Sequence, residues 1–329
     1  MVSVTVLVFD YALAAAVMGI SDLLYFAGNA YQRARKTEGA GRFRVRLASR
    51  DGKPVKAMNR MTITPHCAIA DIESSDIYLV PTITGDIEQT LKDNPWVVQQ
   101  LQQAAGTDAI IGSNSNGSFF LAEAGLLDDK KATTFWDNVA LFRRRYPSVD
   151  LRPDQLLIHD GNILSDAGGT SWFDLGLYLV ELFCDHQTAM EAAKYFMVDL
   201  ERSTQLSFTP LTSKKYHSDA LILQIQGWME QRYAQAFSMA TLSDHFGLSN
   251  RTFVRRFKQA TGVTPLNYLQ EVRLNAASRL LVQSHQSIEV ITHSVGYEDI
   301  SSFTRMFKRR TGYSPSGYRS RFRAVHVAG

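Results

Sequence analysis

Hydrophobic and polar positions follow two different rhythms along this 329-residue chain, and the change of rhythm divides it. In the first two hundred residues, short runs rich in apolar and β-branched residues recur: "VSVTVLVF" (2–9), "RFRVRLAS" (42–49), "DIYLVP" (76–81) and "DAIIGS" (108–113). Between them lie longer segments whose apolar residues repeat every three or four positions, "YALAAAVMGISDLLYFAGNAYQ" (11–32) and "NPWVVQQLQQAAG" (94–106). The short runs predict strands and the longer ones helices. "LIHDGNILSD" predicts a hairpin turning on Asp160 and Gly161. Helices follow in "WFDLGLYLVELFC" and "HQTAMEAAKYFMVD". Strands alternating with helices predict a doubly wound, largely parallel α/β sheet with its ligand site at the carboxyl ends of the strands.

The pattern lapses in "STQLSFTPLTSKKYHSD" (203–219), which is polar, carries Pro210 and has no apolar period. It predicts a linker between an α/β domain (1–202) and an all-helical domain (220–329). The helical part contains a repeat at an offset of fifty. "TFVRRFKQATGVTPLNYLQ" (252–270) matches "SFTRMFKRRTGYSPSGYRS" (302–320) at Phe253/Phe303, Arg255/Arg305, Phe257/Phe307, Lys258/Lys308, Gly262/Gly312, Pro265/Pro315 and Tyr268/Tyr318.

Each copy predicts a helix, a turn and a helix. In the first, "SMATLSDHFGLS" offers Ala240, Leu242 and Phe246 to a core, Gly247 ends the helix and Ser249 caps the next. In the second, "SIEVITHSVGYED" does the same with Gly296 as its stop. Phe253 and Phe257, like Phe303 and Phe307, lie four apart on one helix face and belong inside. Arg251, Arg255 and Lys258, and likewise Ser301, Arg305 and Lys308, face the other way. A cationic outer face on the second helix of such a unit suits a DNA major groove, where residues near the helix start reach base edges and flanking cations meet phosphates.

Charge agrees with this placement. Residues 218–329 carry fourteen Lys and Arg against seven Asp and Glu, so the net charge of +3 is concentrated there and the rest of the chain is negative. The apolar N-terminus has no basic leader and is interrupted by Asp10, which favours a buried strand over a secretory signal. No apolar stretch approaches the roughly 18 residues of a membrane span, and a cytoplasmic protein is expected. Cys67 and Cys184 are isolated and without metal-ligand spacing, which predicts buried thiols and no metal site or cofactor.

Residues 220–322 resemble the AraC/XylS family of transcriptional regulators, with "NYLQEVRLNAASRLLVQS" as the long helix joining two helix-turn-helix units and "SVGYEDISSFTRMFKRRTGYSPSGYR" close to the family signature. The resemblance implies double-stranded DNA as partner, with successive major-groove segments bound about 34 Å apart. It assigns Arg251, Val254, Arg255, Ser301, Thr304 and Arg305 to base edges, and Arg256, Lys258, Arg273, Lys308, Arg309 and Arg310 to phosphates. Val254 departs from the polar readers and offers only apolar contact, as with a thymine methyl. A homodimer, activation rather than repression, and contact with RNA polymerase are further family expectations.

The stretch "IIGSNSNGSFFLAEAG" (110–125) places Ser115 at an apex between strand and helix, close to the G-x-S-x-G elbow that exposes a catalytic hydroxyl. With "GSFFLAEAGLLDDKKATTFW", "HDGNILSDAGG" and "AAKYFMVDLERSTQLSF", the first half resembles PfpI-like members of the class I glutamine amidotransferase-like superfamily, which implies a flavodoxin-like, amidotransferase-like fold. In the enzymes of that superfamily the elbow holds a cysteine; here it is Ser115, the carboxylate expected after the first strand is missing, and Phe135 stands where many relatives have His.

His159 and His66 are the available bases, and neither comes with an identifiable orienting acid. A catalytically inactive domain that binds a small effector (an amino acid, amine or carboxylate) is therefore expected. The elbow's outward N–H groups with Asn114, Ser115, Asn116 and Gly117 would receive it, helped by Thr82, Ile83, Phe119 and Trp172. The rival readings are a Ser115-dependent hydrolase or amidase with an autoregulatory DNA-binding domain, and a constitutive dimeric DNA binder without effector.

Overall fold

The computed structural model describes residues 1–36, 41–198 and 219–322. The chain divides into two compact units, Met1–Gln205 and Leu206–Gly329. All but the last residue of the expected linker lie outside the described residues; that last residue, Asp219, caps a helix of the second unit.

In the first unit a seven-stranded sheet is built from β1 (Val2–Leu7), β2 (Phe43–Ser49), β5 (Cys67–Ala68), β6 (Ile77–Val80), β7 (Ile110–Asn114), β10 (Leu157–Asp160) and β11 (Ile163–Asp166). Two short pairs lie outside it, β3 (Val55–Lys56) with β4 (Thr62–Ile63) and β8 (Lys131–Ala132) with β9 (Asp150–Leu151). The sheet order is β10-β11-β7-β6-β1-β2-β5, parallel throughout except for the β10–β11 hairpin, whose turn holds Gly161 at φ +66°. The central strands are apolar on both faces, as burial between two helical layers requires; Ile77, Tyr78, Leu79 and Val80 are all buried.

One layer contains α1 (Ala14–Arg35), α6 (Trp172–Phe183) and α7 (His186–Tyr195); the other contains α2 (Ile87–Asp93), α3 (Pro95–Ala105), α4 (Ser118–Glu123) and α5 (Val139–Arg145). Each predicted strand and helix is present. Cys67 and Cys184 are half-buried free thiols rather than fully buried ones.

The second unit comprises α8 (Ala220–Arg232), α9 (Met239–His245), α10 (Asn250–Thr261), α11 (Pro265–Gln283), α12 (Ile288–Ser294), α13 (Ile300–Thr311) and α14 (Pro315–Phe322). Two small cores hold it together. Phe253 and Phe257 of α10 pack with Leu242 and with Tyr268, Leu269 and Val272 of α11. Phe303 and Phe307 of α13 pack with Ile291, Val295 and with Leu274, Ala277 and Leu281 further along the same helix. At 1.5 Å per residue α11 spans about 28 Å, so one rigid helix contributes its first half to one core and its second half to the other.

The repeat extends into detail. Ring centroids of Phe253 and Phe257 lie 5.7 Å apart, those of Phe303 and Phe307 5.5 Å. Tyr268 meets Phe257 edge-on at 5.4 Å, and Tyr318 meets Phe307 at 5.3 Å. Thr261 and Thr311, a matching pair, donate to the carbonyls of Phe257 and Phe307. Gly247 and Gly296 take the positive φ expected of the stops, and Ser249 accepts from the Thr252 N–H as the predicted cap. Ala240 is exposed and does not join the core.

Candidate nucleic-acid interface and elbow pocket

At the carboxyl end of β7 the chain enters α4 through one tight turn at Ser115, Asn116 and Gly117. Ser115 has φ +56°, a left-handed backbone that costs a non-glycine residue about 1–3 kcal/mol and persists only where the surroundings impose it. Close packing does so here. A Cβ on Gly117 would stand 2.5 Å from the Val80 carbonyl oxygen, and one on Gly168 would stand 2.6 Å from Ser115 Oγ. The predicted elbow is therefore real, and it is clamped between the ends of β6 and β11.

What holds it from within is Asp166, the last residue of β11 and fully buried. Its Oδ1 accepts from Asn114 Nδ2 at 2.7 Å, from the Ser115 N–H at 3.3 Å, from the Gly168 N–H at 3.1 Å and from the Ser171 hydroxyl. Oδ2 is buried with no hydrogen-bond partner among the described residues. Burial disfavours the charged form and pushes the carboxyl up to about 7, against the pull of its donors. The second elbow N–H, that of Asn116, donates to Thr82 Oγ1 at 3.2 Å. These amides, which the sequence pattern predicts to face a ligand carboxylate, are instead engaged within the protein, one by its own carboxylate and the other by a threonine.

Beside the elbow opens a pocket of about 620 Å3. Four of the expected residues line it: Thr82, Ile83, Ser115 and Asn116. Ser115 is 4% exposed, and no hydrogen bond to its hydroxyl occurs among the described residues. Asn116 donates to the Ile83 carbonyl at 3.1 Å and accepts from Asn138 at 3.0 Å, which presents a fixed amide pair to the pocket. Met58, Phe135, Asn138, Leu141, Asp86 and Glu88 complete most of the wall and were missed. They come from four separate loops and helices, so no sequence spacing links them.

The other four expected residues do not reach the pocket. Asn114 is buried on Asp166. Gly117 lies against the backbone of Val80 and Pro81. Phe119 is fully buried and meets Phe142 edge-on at 4.8 Å, because it lies on the inward face of α4. Trp172 stacks on Phe173 at 3.6 Å and fills the space left by Gly19 of α1. The candidate bases are also engaged: His66 Nδ1 accepts from the Leu47 N–H at 2.8 Å and His159 Nδ1 lies 2.8 Å from the Tyr178 hydroxyl.

In the helical unit, Arg251, Arg255 and Lys258 on α10 and Ser301, Arg305, Lys308 and Arg309 on α13 are exposed, with Val254 and Thr304 half-exposed between them. Among the described residues none of these six cations forms an ion pair. Three of the expected phosphate contacts are otherwise occupied. Arg256 holds Asp219 through two bonds of 2.7 and 2.9 Å. Arg310 is 13% exposed and pairs with Glu271 at 3.5 Å. Arg273 donates to the carbonyls of Tyr233 at 2.7 Å and Gln235 at 3.1 Å, fixing the end of α8 to α11. Arg273 and Arg310 are thus braces inside the fold, and the phosphate reading is corrected for both.

Comparison with known proteins agrees with both halves. The DJ-1/PfpI family model matches residues 6–182 and a helix-turn-helix domain model matches 242–321. The transcriptional regulator CdhR of Pseudomonas aeruginosa is 29% identical over 275 residues, covering 83% of this chain and 81% of that protein. GbdR of the same species is 24% identical over 283 residues, covering 86% of this chain and 76% of its own. The activator RhaS of Escherichia fergusonii is 39% identical over 99 residues, 30% of this chain and 36% of that protein.

Among solved structures, an AraC family regulator from Pseudomonas putida has a TM-score of 0.51 at 21% identity, covering 60% of this chain and all (100%) of that one. Drosophila melanogaster DJ-1beta has the same score, 0.51, at 18% identity, covering 60% of this chain and 98% of its own, which shows the shared fold. Among the described residues no helix is long and apolar enough to cross a membrane. The chain belongs to the DJ-1/PfpI family and joins that domain to an AraC-type helix-turn-helix domain, the make-up of an AraC-family transcriptional regulator.

Proposed function

We propose that this regulator reads DNA through α10 and α13 and adjusts that binding to a small, amine-bearing effector held in the elbow pocket, without turning it over. The observation that carries the first part is the pair of exposed, unpaired cationic faces repeated at fifty residues on matching cores. Arg251, Val254, Arg255, Ser301, Thr304 and Arg305 stand at the helix starts, the place from which side chains reach base edges. Lys258, Lys308 and Arg309 lie further along and suit phosphates, with Arg256 joining them only if it leaves Asp219.

The chemistry of the pocket supports the effector class. Asp86 and Glu88 stand at its rim, Asn116 and Asn138 inside, and Ile83, Phe135 and Leu141 give it apolar walls; no Lys, Arg or His is among the described residues lining it. With these elbow amides already used, a carboxylate has little to bind, whereas an amine meets two carboxylates at the rim: Asp86, whose Oδ1 also accepts from the Gln89 N–H as the cap of α2, and Glu88, which also faces Arg145 at 3.8 Å. A serine nucleophile needs a base within hydrogen-bond reach, and the two histidines that could have served are held elsewhere. Activation is the expected sense of regulation.

Footprinting tests the DNA reading: an Arg255→Ala/Arg305→Ala chain loses protection of sites that the wild type protects, and unchanged protection would refute it. For the pocket, thermal-shift screening with amines, amino acids and simple carboxylates yields stabilisation by an amine-bearing compound that Ser115→Ala weakens and that leaves ligand-free DNA affinity unchanged. Hydrolysis of a screened compound that depends on Ser115 would overturn the non-catalytic reading.

A further inference from the structure

The two helical units repeat their cores but not their bracing. Arg256 follows Arg255 on α10 and so points about 100° round the helix from it, away from the outward cations. Its Nε and one terminal nitrogen meet the two carboxylate oxygens of Asp219 at 2.7 and 2.9 Å. Such two-bond pairing of a guanidinium with a carboxylate fixes direction as well as distance. Asp219 is at the same time the cap of α8, accepting from the Ile222 N–H at 3.2 Å, and it is the first described residue of its unit. The start of α8 is thereby tied to α10. The other end of α8 is tied elsewhere, because Arg273 of α11 holds the carbonyls of Tyr233 and Gln235.

Fifty residues on, the place of Arg256 is taken by Met306, which can form no such pair. The second unit has a different brace, Arg310 on Glu271 of α11 at 3.5 Å, at a place where the first unit has Ala260. The polar tie of α13 therefore goes to α11, the helix both units share, whereas that of α10 goes to α8. Ile222, Ile225 and Met229, the buried apolar residues of α8, all enter the first core. We infer that Arg256 is a positioning residue for DNA reading by the first unit alone: through Asp219 it sets the direction in which α10 presents Arg251, Val254 and Arg255, while α13 takes its direction from α11. The inference rests on the reading of α10 and α13 as the helices that meet DNA.

Binding of the full chain to a duplex that the wild type selects from a random-sequence pool, and to that duplex with single base pairs exchanged, tests it. Base pairs at which Arg255→Ala relaxes preference mark the segment read by α10, and those relaxed by Arg305→Ala the segment read by α13. Arg256→Met gives the first unit the side chain of the second, and Asp219→Asn keeps a cap for α8 without the charge. Each is expected to lower discrimination at least about threefold in the α10 segment and to leave the α13 segment within about twofold of wild type, and the double variant is no worse than Arg256→Met, since the two residues act as one pair. The slope of log affinity against log salt stays that of the wild type in Arg256→Met; a slope lower by about 1 would place Arg256 on a phosphate and off Asp219, and overturns the inference. Equal loss in both segments, the mark of general destabilisation, overturns it too, as does no loss in either or a double variant worse than both single ones. A wild type that selects no duplex, or Arg255→Ala and Arg305→Ala chains that discriminate as it does, would instead refute the reading of α10 and α13 and take the inference with it.

Discussion

The elbow helix α4 and the helices α10 and α13 begin alike, as short helices entered through a turn with polar residues at the start, yet they use those residues in opposite ways. At the elbow they are drawn inward: Asn114, the Ser115 N–H and Ser171 all converge on one buried carboxylate, and little is left to face outward. On α10 and α13 the caps, Ser249 and Asp299, satisfy the first backbone donors, and Arg251, Arg255, Lys258, Arg305, Lys308 and Arg309 behind them form no ion pair among the described residues. The difference separates a site whose shape is enforced from one whose charges are presented. It also underlies the proposal that a nucleophile-like turn in this chain serves a binding pocket rather than a reaction.

The sharpest way to break the comparison is to replace the buried carboxyl. Asp166 is held near 7 in the folded chain, against about 3.9 for an exposed aspartate, so the folded state keeps its proton where the unfolded state has lost it. Below the unfolded value the two states are equally protonated. As pH rises from about 4 to about 7 the unfolded state gains stability on the order of 4 kcal/mol relative to the folded one, and above 7 the difference stays constant. Asp166→Asn is neutral throughout and keeps the oxygen that the four donors need. Denaturant unfolding of both chains at several pH values is expected to show this slope in the wild type and its loss in the variant; parallel curves would mean that the carboxyl titrates normally.

A smaller effect is expected where charges are presented. Arg255→Ala and Arg305→Ala each weaken specific DNA binding by about 1–3 kcal/mol if each guanidinium pairs with a guanine, and each relaxes preference at its own base pair only. Binding titrations against operator variants measure both. The two positions occupy matching places on matching helices, so a loss confined to one of them would show that the repeat preserves the skeleton and not the reading.

What the sequence made legible is whatever has a period. The strand-helix alternation, the fifty-residue repeat, the Gly247 and Gly296 stops and the outward cations all follow from spacing along one element. What it hid depends on a second element. Asp166 looks like an ordinary polar residue at the end of a hairpin until β7 is laid beside β11. Phe119 and Trp172 stand near the elbow in sequence or in loop position, but Phe142 and Gly19 decide that they face inward. Arg310 continues a basic run, and only the Glu271 carboxylate from α11 turns it away from solvent. The pocket wall gathers residues from Met58 to Gly169, a span over which no motif operates.

The finest distinction lies within that basic run, between Lys308, which is exposed, and Arg310, which is paired. A cation that meets a phosphate releases a condensed counterion, so its removal makes binding less steeply dependent on salt. Lys308→Ala is expected to lower the slope of log affinity against log salt by about 1, similarly for specific and nonspecific DNA, and to leave folding stability unchanged. Arg310→Ala should do the reverse: it removes the guanidinium that faces the Glu271 carboxylate at 3.5 Å in a half-closed site, lowers the unfolding midpoint and keeps the salt slope. Affinity measured over a salt series, with a melting curve for each variant, separates the two. If Arg310→Ala also flattened the slope, its guanidinium would have to leave Glu271 on DNA, and the division between bracing and presented charge in this helix would have to be redrawn.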